Sequence, residues 1–290
     1  MTKIQYIKPK NFRKDTVLLL EKIVKVVEDY KKQGYRMTLR QLFYQLVTKN
    51  ILENKESQYK KLSTLLKDAR MSGLIDWDVI EDRIRVPAMP NQFEDLSDLV
   101  RAAVSAYRLD RWENQEYYVE VWVEKDALYG ILEPITRKYH VHLLVNRGYS
   151  STSALHESVL RIKEQQDYKE CVVLYMGDHD PSGMNMVQDI RDRFQDFGCH
   201  ATVEPLALTM DQIKQYNLPS NPAKMSDPRS KEYVKEFGRI SWELDALNPD
   251  VLSELISSNI EKRLDTDEYQ RVIDRENEEK QELVRVSQAI

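Results

Sequence analysis

The chain of 290 residues is 41% hydrophobic. No apolar run approaches the roughly 20 residues that a membrane span needs, and the N-terminal stretch lacks the apolar core of a secretion signal. Two cysteines, Cys171 and Cys199, exclude a disulfide framework and a cysteine-built zinc site. The expectation is a reduced, cytoplasmic protein. The net charge of −5 is unevenly spread: residues 1–85 hold 19 basic and 11 acidic side chains, a net +8, and the rest hold 24 and 37, a net −13. A basic first third suits contact with phosphates.

In chain order, Lys14 to Lys32 reads as a helix, with Val17, Leu20, Ile23, Val24 and Val27 on one stripe and Gly34 at its end. Thr38 caps a second helix, Leu39 to Thr48, and a third runs from Ser57 to a stop at Gly73. Val79 to Val86 alternates as a strand does. Three helices followed by a small β-ribbon are the pattern of a winged helix, which places a helix against DNA. Pro87, Pro90 and Asn91 mark a boundary. A helix near Glu94 to Arg108 then leads to a charged linker at Asp110 to Glu116.

From Tyr117 the pattern changes. Strands are expected at Tyr117–Val123, Val141–Val145, Cys171–Met176 and Ala201–Leu208. Helices are expected at Asp126–Lys138, Thr152–Gln166 and Met184–Phe197. Such alternation implies parallel βαβ units in a Rossmann-like sheet. From Asp211 onward the chain is polar and mostly helical, ending in a charged, exposed helix from Asp265. The fold class is therefore α/β plus a small α+β part. It divides into a winged-helix domain (1–86), a linker with a helix (87–115), a parallel-sheet core (116–210) and a helical extension (211–290).

The stretch CVVLYMGDHDPSG, Cys171 to Gly183, concentrates the chemistry. It reads as a strand buried on both faces, a turn at Gly177, and a loop bearing Asp178 and Asp180 before the next helix. Carboxyl ends of parallel strands are where such sheets keep their sites. The first strand ends likewise in Glu124. If the two strands are adjacent, Glu124, Asp178 and Asp180 converge, and hard carboxylate oxygens favour Mg²⁺. Taken alone, the DxD also fits solvated turn chemistry, and Glu124 a solvated strand end. A calcium loop fits less well, because a β-branched run and not a helix precedes it. His179, inside the acidic pair, reads as a solvated loop histidine.

VWVEKDAL and GDHDPSG together resemble the Toprim domain, most closely its version in the A subunit of type IIB topoisomerases (topoisomerase VI) and in the related meiotic double-strand-break protein. WELDAL, Trp242 to Leu247, is similar to a segment those proteins carry after the Toprim core. The resemblance runs from about Thr38 to this segment. It implies a nucleophilic tyrosine on the winged-helix domain, in a pattern of Arg, three residues, then Tyr, which Arg40 and Tyr44 match. Residues four apart share a helix face, so the guanidinium can lie beside the phenol, favouring the phenolate or holding the phosphate.

The resemblance further implies Mg²⁺ on Glu124, Asp178 and Asp180, a phosphate contact from Lys125, and double-stranded DNA as substrate. It implies a homodimer in which one subunit's tyrosine meets the other's metal site. No ATP-binding motif is present, so strand passage requires an ATPase B-like subunit on another chain. The expected activity is DNA cleavage through a 5′-phosphotyrosyl link. The rivals are a metal-dependent Toprim nuclease with a structural tyrosine and a non-catalytic DNA-binding protein. A primase fits less well, for want of a zinc-binding cysteine set.

Overall fold

The computed structural model describes residues 10–33, 35, 37–75, 90, 92–146, 152–227 and 229–288. The N-terminal part is a three-helix unit: α1 (Lys14–Lys32), α2 (Leu39–Thr48) and α3 (Glu56–Met71). Its core joins Leu20, Ile23 and Val27 of α1 to Leu42 and Leu46 of α2 and Leu62 and Leu66 of α3. Thr38 forms the capping box expected of it. Its hydroxyl accepts from Gln41 N, and Gln41 Oε1 accepts from Thr38 N at 2.8 Å. Gly73, at φ +70°, follows the end of α3, as its lack of a Cβ permits. The β-ribbon expected at Val79–Val86, and with it the wing, lies outside the described residues, as does Gly34.

Every residue of α2 from Gln41 to Val47 is buried. A helix buried on all sides has partners on all sides. Here α1 and α3 pack on one side, and a 3-10 turn at Leu244–Ala246, inside WELDAL, packs on the other. The first and last thirds of the chain thus meet on α2.

The helix α4 (Leu96–Ala106) leads to the sheet. Its strands are β1 (Tyr117–Val123), β2 (His142–Val145), β3 (Glu170–Met176) and β4 (Ala201–Ala207), in the order β2-β1-β3-β4 and parallel throughout. Between them lie α5 (Tyr129–Tyr139), α6 (Thr152–Gln165) and α7 (Pro181–Asp196). The period-two alternation of buried strands sorts the side chains onto two faces. Val119, Val121, Val123, Val172, Leu174 and Met176 face α5 and the later helix α10 (Pro249–Glu261). Trp122, Cys171, Val173 and Tyr175 face α6 and α7. Each such aliphatic side chain contributes about 1.5–3 kcal/mol by leaving water. One charge is buried within β1: Glu120 accepts from Tyr118 Oη, Trp122 Nε1 and Arg161 Nε at 2.8, 2.8 and 3.1 Å.

Beyond β4 the chain is mostly helical, as expected, but not wholly so. Between α8 (Met210–Gln215) and α10 it forms an antiparallel ribbon of β5 (Ser220–Pro222) and β6 (Ile240–Trp242), with α9 (Ser230–Phe237) between the strands. The final helix, α11 (Thr266–Gln288), is more than an exposed charged tail. Its Glu276 is buried and takes Leu109 N, Arg111 and Lys280 at 3.0, 3.3 and 2.6 Å, tying the tail to the linker before β1. No described helix is long and apolar enough to cross a membrane.

Candidate functional site

Strands β1 and β3 are neighbours, and Val123 pairs with Met176 at their ends. The connection out of β1 runs to β2 on one side, and β3 continues to β4 on the other. The carboxyl ends of β1 and β3 therefore form the topological switch point of the sheet, where such folds open a crevice. Glu124 leaves β1 with its N–H on Met176 O at 2.9 Å. Its Oε2 then accepts Asp178 N at 3.0 Å. Asp180 caps α7, with Oδ1 accepting Gly183 N at 2.6 Å and Pro181 in the first turn. The charge of Asp180 is felt at Glu124. Glu124 and the loop bearing Asp178 and Asp180 thus lie side by side at this end of the sheet. Among the described residues, Glu124 Oε1 and Asp180 Oδ2 have no protein partner.

Glycines shape the loop by close approach. A Cβ on Gly183 would stand 2.2 Å from the carbonyl oxygen of Asp178, and one on Gly177 would stand 3.0 Å from Glu124 Oε2.

WELDAL completes the site. His179 and Trp242 pair as an isolated bridge, which brings the following turn against the acidic loop. Leu244 N donates to Asp178 Oδ1 at 2.8 Å. Glu243 and Asp245 then close a ring of charges with Lys125 and Arg40. Lys125 Nζ lies 2.6 Å from Asp178 Oδ1 and 3.1 Å from Asp245 Oδ2, and it also pairs with Glu243 Oε2. Arg40 Nη2 is 2.7 Å from Glu243 Oε2, and its Nε is 3.0 Å from Asp245 Oδ2. Sequence reasoning assigned no role to Glu243 or Asp245. Their signal was present, since two acids one residue apart repeat the pattern of Asp178 and Asp180, but nothing local marks a segment so distant as part of the same site.

Tyr44 sits one turn from Arg40 on α2, and the guanidinium lies 5.5 Å from its ring centroid. The ring is buried and packs edge-on against Phe43. The phenol pKa is raised, chiefly by burial and then by the charge of Glu243; Arg40 and the Asn221 side chain pull the other way. The expected pull of Arg40 toward phenolate is therefore real but outweighed. Lys125, expected at a phosphate, instead turns its ammonium to three carboxylates. Burial disfavours that charge, but Asp245, Asp178 and Glu243 hold it. His179 is not solvated. It is 2% exposed, ringed by Tyr233, Phe237 and Trp242, with Nδ1 2.9 Å from Tyr233 Oη.

The site gathers five carboxylates, Glu124, Asp178, Asp180, Glu243 and Asp245, around two cations. The surplus shows in their titration. Burial pushes Asp178 well above the ordinary carboxylate range; Lys125 opposes this, while Glu243, Glu124 and Asp245 add to it. Glu124 is raised by burial as well. Glu243 goes the other way, to about 2: burial is overcome by Lys125, Arg40 and a hydrogen bond from Asp178. Asp178 is thus pushed toward its neutral form while Glu243 is held toward its ionised one, the direction expected of crowded carboxyls that share one lysine. Asp245 Oδ1 is buried without a hydrogen-bond partner among the described residues.

Among the described residues, no three Asp, Glu, His or Cys side chains already surround a metal position. The donor chemistry nonetheless fits Mg²⁺: hard oxygens, excess negative charge, and, at the switch point, oxygens on Glu124 and Asp180 without a partner among the described residues. No protein-family model matches the sequence, and no curated protein matches it.

Proposed function

We propose that the chain cleaves double-stranded DNA by Mg²⁺-dependent transesterification, with Tyr44 as nucleophile, in the manner of a type IIB topoisomerase A subunit. The observation that carries this reading is the unbroken run of contacts from Tyr44 through Arg40, Glu243 and Lys125 to Asp178. A phenol and an acidic centre are joined by paired charges, and the acidic centre stands at the ligand-binding end of a parallel sheet. The basic surplus of residues 1–85 suits the phosphate backbone.

Tyr44 Oη would form its bond to phosphorus as the P–O3′ bond breaks. The phenolic proton passes to solvent, and the 3′-oxygen leaves as a hydroxyl. Arg40 would orient the scissile phosphate, for which a guanidinium offers two parallel donors. Glu124, Asp178 and Asp180 would hold Mg²⁺. When bound, the ion supplies charge stabilisation at the phosphate and the leaving oxygen. A winged-helix form for the N-terminal unit, a homodimer, an ATPase B-like partner chain and a cytoplasmic location belong to the same proposal and rest on sequence alone.

One observation favours a second reading. Tyr44 is only 8% exposed and its phenol is held protonated, as suits a structural tyrosine beside a metal-dependent hydrolytic nuclease. Covalent trapping separates the two. Supercoiled DNA is incubated with protein and Mg²⁺, then denatured in detergent. Transesterification leaves protein on 5′ ends, and Tyr44→Phe and Asp178→Ala each abolish it. Cleavage without adducts, unchanged by Tyr44→Phe and lost with Asp178→Ala, would identify the nuclease.

A further inference from the structure

We infer that Glu243 is a positioning residue that couples the Tyr44–Arg40 pair to the metal-holding end of the acidic site within one chain. The inference deepens the proposed function and rests on its metal site. A single oxygen, Glu243 Oε2, receives both cations, Arg40 Nη2 at 2.7 Å and the ammonium of Lys125. Asp245 Oδ2 repeats the arrangement, at 3.0 and 3.1 Å. Two carboxylates and two cations make a closed, neutral ring. Arg40 extends from it over Tyr44, and Lys125 extends from it to Asp178 Oδ1.

The backbone bearing these carboxylates is held from both sides. Leu244 N is fixed to Asp178 Oδ1 at 2.8 Å, and Leu247 O accepts Gln45 Nε2 from α2 at 3.2 Å. The backbone that carries the ring is therefore tied to both ends of the site.

Competition within the ring gives the coupling its sign. A divalent cation at Asp178 must draw that carboxylate away from Lys125. The ammonium can yield only toward Glu243 and Asp245, which Arg40 already engages. Loosening Arg40 frees both carboxylates for Lys125 and opens Asp178 to metal. Removing the Glu243 charge strands Lys125 on Asp178 and closes it. Occupancy of the metal site and the hold on the guanidinium beside Tyr44 thus oppose each other.

The test uses Mn²⁺ alone as probe, titrated into the full chain and read by electron paramagnetic resonance. Arg40→Gln is expected to tighten binding roughly tenfold, the fold-change of a coupling of about 1.4 kcal/mol. Glu243→Gln is expected to weaken it by a similar factor. In the double variant the Arg40 substitution has a smaller effect than in wild type, the remainder passing through Asp245. Glu243→Asp keeps the charge but withdraws the carboxylate, and it is expected to weaken binding as Glu243→Gln does. An equal Arg40 effect in both backgrounds, or wild-type binding by Glu243→Asp, would show plain through-space charge and overturn the inference.

Should Glu243→Gln not fold, Arg40→Lys decides. It keeps the charge but cannot hold two carboxylates, so tighter binding supports the coupling and unchanged binding overturns it. A wild-type chain that binds no Mn²⁺ sinks the metal site and the coupling together, a different failure from a metal-binding chain whose variants act additively.

Discussion

His179 and Trp242 exchange both of their backbone hydrogen bonds, each at 3.0 Å. This short ladder fastens the loop after β3 to the start of WELDAL. Because Trp242 is fixed, Leu244 N reaches Asp178 Oδ1, and Glu243 and Asp245 reach Lys125. Two segments remote in sequence become one acidic surface. The two segments are first joined by backbone pairing, before any of their charged side chains meet.

Gly183→Ala is expected to disturb this surface without touching a charge. The new Cβ would fall 2.2 Å from the carbonyl oxygen of Asp178, and that atom is backbone, which cannot swing aside. The acidic loop must shift, at a cost of roughly 1–3 kcal/mol for an overpacked site. Urea denaturation should record that loss, and Mn²⁺ affinity should fall with it. A variant as stable as wild type would show the loop to be loosely held.

Mg²⁺ is expected to stabilise the chain most at high pH. Asp178 and Glu124 have folded pKa values above their unfolded ones. Their contribution is therefore complete below the unfolded value of about 4 and is lost as pH rises through the folded values. Above that point the metal replaces the missing proton. At a concentration about a hundredfold over its dissociation constant it should add about 2.7 kcal/mol. Urea titrations at roughly pH 5.5 and 8, with and without Mg²⁺, test this. Glu124→Gln should remove most of the metal effect. An equal gain from Mg²⁺ at both pH values would rule out displacement of a proton.

Much of this architecture was legible because its signals are local. Val119, Val121 and Val123 alternate with Glu120 and Trp122 in β1, and the Thr38 cap with Gln41 starts α2; both announce themselves within a few residues. The sequence could place Glu124 beside Asp178 because neighbouring strand ends in a parallel sheet face one crevice. What escaped notice depends on long-range pairing. Glu243 and Asp245 are charges in a polar stretch until Trp242 binds His179. His179 looks like a loop residue until α9 and β6 wall it in with Tyr233, Phe237 and Trp242. The burial of Tyr44, and hence its raised phenol pKa, depends on α2 being covered by a segment from the far end of the chain.

His179 should act as a structural, neutral ring. Burial lowers its pKa, while its own backbone hydrogen bond and the charges of Asp180 and Glu236 oppose this more weakly. A depressed folded pKa means stability that is fully present above the unfolded value of about 6.5 and lost as pH falls through the folded value. His179→Phe fills the same aromatic enclosure but cannot charge. It should cost about 1 kcal/mol near pH 8, for the lost contact with Tyr233 Oη, and the gap to wild type should close on acidification. His140, also depressed by burial, titrates equally in both proteins and cancels from the difference. Equal gaps at both ends of the range would show that His179 charges freely in the fold.

Gln45 offers a way to separate docking from chemistry on α2. It is 3% exposed, accepts Tyr30 Oη at 2.6 Å, and donates to Leu247 O at 3.2 Å. The Tyr30 phenol is pushed up to about 12 by burial, with Asp250 and Asp29 adding to the shift, so it remains a donor at every working pH. Gln45→Leu preserves volume but leaves that hydroxyl and the Leu247 carbonyl without their partner. Each unsatisfied buried group costs about 1–3 kcal/mol, so a loss of roughly 2–4 kcal/mol is expected. Because the same bond holds the backbone after Asp245, Mn²⁺ affinity should weaken too. Tyr44→Phe, on the same helix, keeps its ring against Phe43 and should change stability by less than about 1 kcal/mol. Mn²⁺ affinity should be unchanged in Tyr44→Phe while covalent DNA adducts vanish. Equal losses of stability in the two variants would mean that the Tyr44 hydroxyl serves the fold, as the nuclease reading requires.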